Sequence, residues 1–158
     1  METLVVYDSK FGNTRKLAEA MANAARDHGT VRLLALDAEL PTDLGSVDLL
    51  IVGGPTQAHG LSPRMRQFAD GLVAGSGAGT VAAIFDTRYR MPAIVSGSAA
   101  KAAARRLRRH GIPMIAEPES FFVTRGAVPQ LEAGELERAA AWLWHVANRS
   151  SLSRWCAA

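Results

Sequence analysis

Five short apolar runs, separated by amphipathic segments, limit what this chain can fold into. Residues 3–8, 31–36, 47–52 and 80–85 each read as a strand, and a fifth begins at 112–116. Pro118 interrupts that fifth strand, and Phe121, Phe122 and Val123 continue it beyond the break. The third run is apolar almost throughout, as a central strand covered on both faces must be. Strands that alternate with helices in a chain of 158 residues predict one three-layer α/β domain around a parallel sheet. Right-handed crossovers, with helices required on both faces, give a doubly wound sheet in the order 2-1-3-4-5. The domain is expected to span residues 1–148, with 149–158 as a C-terminal tail.

The intervening segments carry helix periodicity. Leu17, Met21, Ala24, Ala25 and His28 share one face of a helix over 14–28, and Gly29 ends it. Ser62 and Pro63 open a second helix as cap and first residue, with Met65, Phe68, Ala69 and Leu72 on its inner side. Ala100, Ala103, Ala104 and Leu107 form the inner face of an alanine-rich helix that can lie close to the sheet. Leu136, Ala140, Leu143 and Ala147 mark a last helix over 132–148, while residues 41–45 allow at most a turn or two. The glycines at 75, 77 and 79 follow a helix and precede a strand, the reverse of a dinucleotide fingerprint.

This topology brings three polar loops to one end of the sheet. The first, Ser9, Lys10, Phe11, Gly12, Asn13 and Thr14, joins a strand to a helix. Its hydroxyls, its amide and the unpaired N–H groups of the first helical turn suit a phosphate. Helix capping by Asn13 or Thr14 is the competing structural use. The second loop is Gly53, Gly54, Pro55, Thr56, Gln57, Ala58, His59 and Gly60, and the third Asp86, Thr87, Arg88, Tyr89 and Arg90.

Other chemistries lack their residues. No G-x-x-x-x-G-K-[ST] or G-x-S-x-G is present, and the four histidines show no metal-ligand spacing. A lone cysteine, Cys156, allows no internal disulfide. No apolar run approaches the ~18 residues of a membrane helix, and no basic leader precedes the first strand, so a cytoplasmic location is expected. The net charge of +3 is spread over several segments with few aromatics, which argues against nucleic acid. Lys101, Arg105, Arg106, Arg108, Arg109 and His110 form one local concentration, most simply a solvated helix face. Trp142 and Trp144, two apart on a helix, cannot share a face. At least one is expected against the core, and a homodimer contact is the other use considered.

In its loops the chain resembles the flavodoxin family. The first matches the family's phosphate signature, a hydroxyl residue, two variable positions and then Gly-Asn-Thr, and Gly53-Gly54-Pro55-Thr56 is similar to the opening of the second. The resemblance implies bound FMN. Ser9, Gly12, Asn13 and Thr14 would hold its phosphate, with the amides of Lys10 and Phe11. Pro55, Thr56, Gln57, Ala58, His59 and Gly60 would line one side of the ring, and Asp86, Thr87, Arg88 and Tyr89 the other. The family often places a Tyr or Trp in the second loop, where this chain has Gln57 and His59, so stacking falls to Tyr89 or His59. Arg88 and Arg90 are expected to bring positive charge towards the ring. The implied function is electron transfer to a redox partner protein or a small quinone-like acceptor. The alternatives are an FMN-dependent oxidoreductase of quinone reductase or protoporphyrinogen oxidase type, or an interaction module that has lost the cofactor.

Overall fold

The computed structural model describes residues 1–37, 40–56, 60–73, 77–91 and 97–155, with 152–155 by backbone alone. Its sheet is parallel, in the order β2-β1-β3-β4-β5, as the alternation of runs predicts. The strands are β1 (Glu2–Tyr7), β2 (Thr30–Ala35), β3 (Leu49–Pro55), β4 (Val81–Tyr89) and β5 (Glu119–Val123). α1 (Asn13–Ala25) and α4 (Glu135–Trp155) cover one face, and α2 (Pro63–Gly71) and α3 (Ala99–Arg109) the other.

Period-two alternation along the strands feeds two cores. Leu4, Val6, Leu50, Val52, Ala82 and Ile84 point towards α2 and α3, while Val5, Tyr7, Leu49, Ile51, Ala83 and Phe85 point towards α1 and α4. Each fully buried Leu, Ile or Phe contributes about 1.5–3 kcal/mol. α3 buries Ala99, Ala100, Ala103, Ala104 and Leu107, so its small residues do form the inner face. On the opposite side Trp142 packs edge-on against Phe85 and Phe121, at 6.4 and 6.2 Å between ring centroids, whereas Trp144 is exposed.

Several boundaries differ from the sequence expectation. β3 runs on through Gly53, Gly54 and Pro55, and β4 through Asp86, Thr87, Arg88 and Tyr89, all of which read as loop. The two extensions pair with each other, Gly53 with Phe85, Gly54 with Asp86 and Pro55 with Thr87. Pairing satisfies backbone groups that polar side chains alone would leave to solvent. The first helix starts at Asn13 and finishes in a 3₁₀ turn, Arg26–His28, before Gly29. Residues 41–45 form no helix; Asp43 Oδ1 instead accepts from the Gly45 N–H at 2.9 Å.

The broken fifth strand is present. Met114 bridges to Ala82 before the break, and β5 then pairs with β4 from Glu119 onwards. The last helix extends to Trp155, so residues 149–155 continue α4 rather than forming a tail. No Gly or Pro interrupts residues 135–155, Ser150 is buried, and Ser151 Oγ donates to the Ala147 carbonyl at 3.1 Å. Cys156 lies outside the described residues.

Candidate functional site

The chain leaves β1 for β2 on one side and later returns to β3 on the other, so the topological switch point lies between β1 and β3. At this end of the sheet α1, α2 and α3 all begin, and their starts differ. Ser62 Oγ caps α2 by accepting from the Met65 N–H at 3.3 Å. α3 is closed more completely. Its first three N–H groups go to Thr56 Oγ1 (from Ala99, 3.1 Å), Asp86 Oδ2 (from Ala100, 3.0 Å) and Ser98 Oγ (from Lys101, 3.3 Å). α1 has no cap from its own N-cap residue, Gly12, and no acid in its first turn; the one first-turn N–H taken by a side chain is that of Arg15, by Ser9 Oγ.

The residue before α1 is Gly12, at φ +81°, a left-handed conformation that costs a residue with a Cβ about 1–2 kcal/mol. A Cβ built there meets no protein atom within 4 Å, so the space above the turn is open. Ser9 Oγ lies across it and accepts from the Arg15 N–H at 3.3 Å. Lys10 and Phe11 are exposed, with the Lys10 ammonium 5.3 Å from the Phe11 ring centroid. The positive end of the α1 dipole therefore faces open space, flanked by a hydroxyl. Beside the loop a cleft of about 230 Å³ opens between the ends of β1 and β2, bounded by Asp8, Ser9, Gly12, Arg15, Asp37 and Arg64.

Asn13 and Thr14 are placed differently from the expectation that their side chains converge on a ligand. Both are buried. Asn13 Nδ2 donates to the Pro129 carbonyl at 2.8 Å, and Thr14 Oγ1 lies 3.1 Å from Thr87 Oγ1. Neither is the cap, a role the left-handed Gly12 leaves empty. Their side chains tie the first loop to the segment after β5 and to β4. What the loop presents is its backbone N–H groups and Ser9.

The third loop is also rearranged. Asp86 is fully buried beneath the sheet end. Its Oδ2 accepts from Thr56 Oγ1 (3.1 Å), Ser98 Oγ (2.8 Å) and the Ala100 N–H, while its Oδ1 has no hydrogen bond and lies 3.9 Å from Arg88 Nε. This hub joins the ends of β3 and β4 to the start of α3. Sequence reasoning placed Asp86 and Thr87 beside the ring; both side chains are buried. The readable signal was an acid directly following the buried run Ala83-Ile84-Phe85, with Ser98 before an alanine-rich helix.

Arg88 and Arg90 turn towards β5 and α4. Arg88 donates to Ser120 Oγ (3.0 Å) and to the Met91 carbonyl (2.7 Å), and Arg90 grips Glu132 Oε2 with Nε and Nη2 at 2.9 and 2.7 Å. The Arg90 guanidinium sits 4.1 Å from the Phe122 ring centroid. Next to them, burial works against the Arg138 charge, but hydrogen bonds and attraction from Glu135 and Glu119 overcome it and raise its pKa above the usual arginine value. The positive charge expected near a ring is thus matched by carboxylates. Of the four third-loop residues named as ring-lining, Tyr89 alone is classed as exposed. In the second loop Pro55, Thr56 and Gly60 are half-buried, and Gln57, Ala58 and His59 lie outside the described residues. Among the described residues no cluster of three or more His, Cys, Asp or Glu is arranged for a metal, and no helix is long and apolar enough to cross a membrane.

Fold and site together define a doubly wound α/β protein with a glycine-led helix start at its switch point. A family model described as a flavodoxin domain matches residues 4–142, and the chain belongs to that family. It is 40% identical to the flavodoxin of Aquifex aeolicus over 74 residues, which is 46% of this chain and 40% of that protein's length. Among solved structures, a flavodoxin from the domain Archaea superposes with a TM-score of 0.75 at 22% identity, covering 96% of this chain and 99% of that one. The Flv1 flavodiiron core from Synechocystis sp. PCC6803 gives 0.77 at 15% identity, with 97% of this chain matched to 36% of that one.

Proposed function

We propose that this chain binds FMN non-covalently and passes electrons through it to a redox partner protein or a small quinone-like acceptor in the cytoplasm. The start of α1 carries the reading: an N-cap residue, Gly12, that is left-handed and has no side chain to cap with, open space above it, and a single first-turn N–H met by a side chain, Arg15 to Ser9 Oγ, next to an α3 start whose first three N–H groups are all taken. An anion meets the N–H groups that Ser9 leaves open. When bound, FMN supplies one- and two-electron transfer, and the protein supplies position and electrostatics.

Ser9 Oγ and the amides from Lys10 to Thr14 hold the phosphate. Asn13 and Thr14 keep that loop in shape through Pro129 and Thr87. Pro55, Thr56 and Gly60 border one side of the ring and Tyr89 the other. Asp86 sets the distance between the two sides by holding Thr56 and the start of α3 on one oxygen.

Fluorescence titration of apoprotein with FMN and with riboflavin, which lacks the phosphate, tests the reading. FMN is expected to bind about 100-fold more tightly, or ~2.7 kcal/mol. Equal affinities would remove the phosphate site and the reading with it. Gly12→Val, a β-branched residue forced to positive φ, should weaken FMN roughly tenfold and leave riboflavin almost unaffected. Tyr89→Ala should weaken both flavins alike, by roughly 2- to 10-fold, since it removes ring stacking only.

A further inference from the structure

The outer surface of the α2/α3 layer carries charge that, Arg64 at the cleft apart, the flavin site does not use. α2 and α3 together hold Arg64, Arg66, Lys101, Arg105, Arg106, Arg108 and Arg109 against one acid, Asp70, giving this layer +6 in a chain whose total is +3. Arg106 pairs with Asp70 at 3.0 Å. Arg66, Lys101, Arg105, Arg108 and Arg109 are exposed, and among the described residues none of them meets a carboxylate. On other faces Arg15, Arg32, Arg90 and Arg138 are each matched to a carboxylate, and the exposed Arg26, Arg125 and Arg149 lie singly on separate elements rather than in one cluster.

Helix stability accounts for part of this surface only. Arg108 and Arg109 lie in the last turn of α3, where cations favour the dipole. Arg66 and Lys101 lie near the first turns of α2 and α3, at the positive ends, where a cation is unfavourable. Those two ends are at the edge of the sheet that carries the flavin loops. From there the cations run along α3 at Lys101, Arg105 and Arg108, the i, i+4, i+7 stripe of one helix face.

We propose that the α2/α3 face is the docking surface for an acidic electron-carrier protein, which it orients with its redox centre towards the flavin edge. The proposal rests on the electron-transfer reading above. A carboxylate-rich protein is the favoured occupant because arginines bind carboxylates through paired N–H groups, and because the face offers no aromatic residue for stacking nucleic-acid bases. Its apolar side is already spent on the core, so it has nothing to insert into a lipid surface. With FMN held by the loops, the face would orient the carrier so that one electron could pass from its reduced redox centre, which is oxidised, to the flavin, which is reduced.

A plant-type ferredoxin serves as the acidic probe, in two measurements. Retention of the protein on immobilised ferredoxin needs no flavin, and stopped-flow bleaching of oxidised flavin by reduced ferredoxin reads the transfer. Wild type is expected to be retained at about 10 mM salt and released by about 200 mM, with the second-order rate falling roughly tenfold over that range. A triple variant, Arg66→Glu, Lys101→Glu and Arg105→Glu, should lose retention and about tenfold in rate with FMN affinity unchanged. Arg66→Glu and Lys101→Glu place acids near helix starts, and Arg105→Glu places one four residues before Arg109, so the variant's Tm should hold or rise. A control with the same charge change elsewhere, Arg26→Glu, Arg125→Glu and Arg149→Glu, should keep most of both. Equal losses in the two variants would reduce the effect to net charge and overturn the proposal. So would preference of wild type for duplex DNA or phosphatidylserine vesicles over ferredoxin at about 150 mM salt. If FMN does not bind, retention still tests the surface, and the two readings fail separately.

Discussion

Asp86→Ala is expected to lower the free energy of unfolding by about 3–5 kcal/mol, read as a fall in the urea midpoint at unchanged m-value. The carboxylate is fully buried and takes three donors on one oxygen, from Thr56, Ser98 and Ala100. Thr56 and Ser98 can rotate their hydroxyls to other acceptors. The Ala100 N–H is fixed by its helix and cannot, so it bears the full cost of an unmet buried donor, about 1–3 kcal/mol. Arg88 also loses the carboxylate 3.9 Å away, and the removed volume adds a cavity. Asp86→Asn keeps the volume and one acceptor oxygen, so it should cost about half as much. FMN affinity should fall in both variants, because Thr56 and α3 are no longer held together. A loss below about 1 kcal/mol for the alanine variant would mean that the hub is not a unit.

Gly53→Ala is expected to be nearly as damaging, for a steric reason. A Cβ at residue 53 would lie 2.0 Å from Cζ and 2.3 Å from Cε1 of Phe85. The ring has little room to yield, being edge-on to Phe121 at 5.8 Å and to Trp142 at 6.4 Å. Overpacking of this kind costs about 1–3 kcal/mol and more where the neighbour is rigid; about 3 kcal/mol is expected here. Phe85→Leu alone should destabilise by leaving a cavity. Combined with Gly53→Ala it should restore part of the loss, a coupling of at least about 1 kcal/mol in a double-mutant cycle. Additive losses would show that the methyl group and the ring do not compete for one space.

These two residues also show where sequence reasoning stopped short. Gly53 reads as the first residue of a glycine-rich loop, yet it is a strand residue whose missing side chain admits a phenylalanine 32 positions further on. Asp86 reads as the start of a polar loop, yet it holds three separate segments together. Both readings failed because local polarity cannot report a partner distant in sequence. The same limit applies to Asn13 and Thr14, whose side chains look available in the hexapeptide and are taken up by Pro129 and Thr87. Gly12 was legible, because a glycine directly before a helix and after a strand constrains its own backbone.

Local pattern therefore determined the order of elements, the parallel sheet, the inner face of α3 and the left-handed glycine that opens α1. Each depends on periodicity or on backbone geometry within a few residues. The tertiary structure alone decided how far β3 and β4 extend, that α4 reaches Trp155, and which polar side chains of the loops are buried. It also decided that α1 begins at a residue with no side chain to cap it, helped only by Ser9, while the first three N–H groups of α3 are all taken. A donor finds its acceptor, and a cation its carboxylate, only once strands and helices from distant parts of the chain lie side by side.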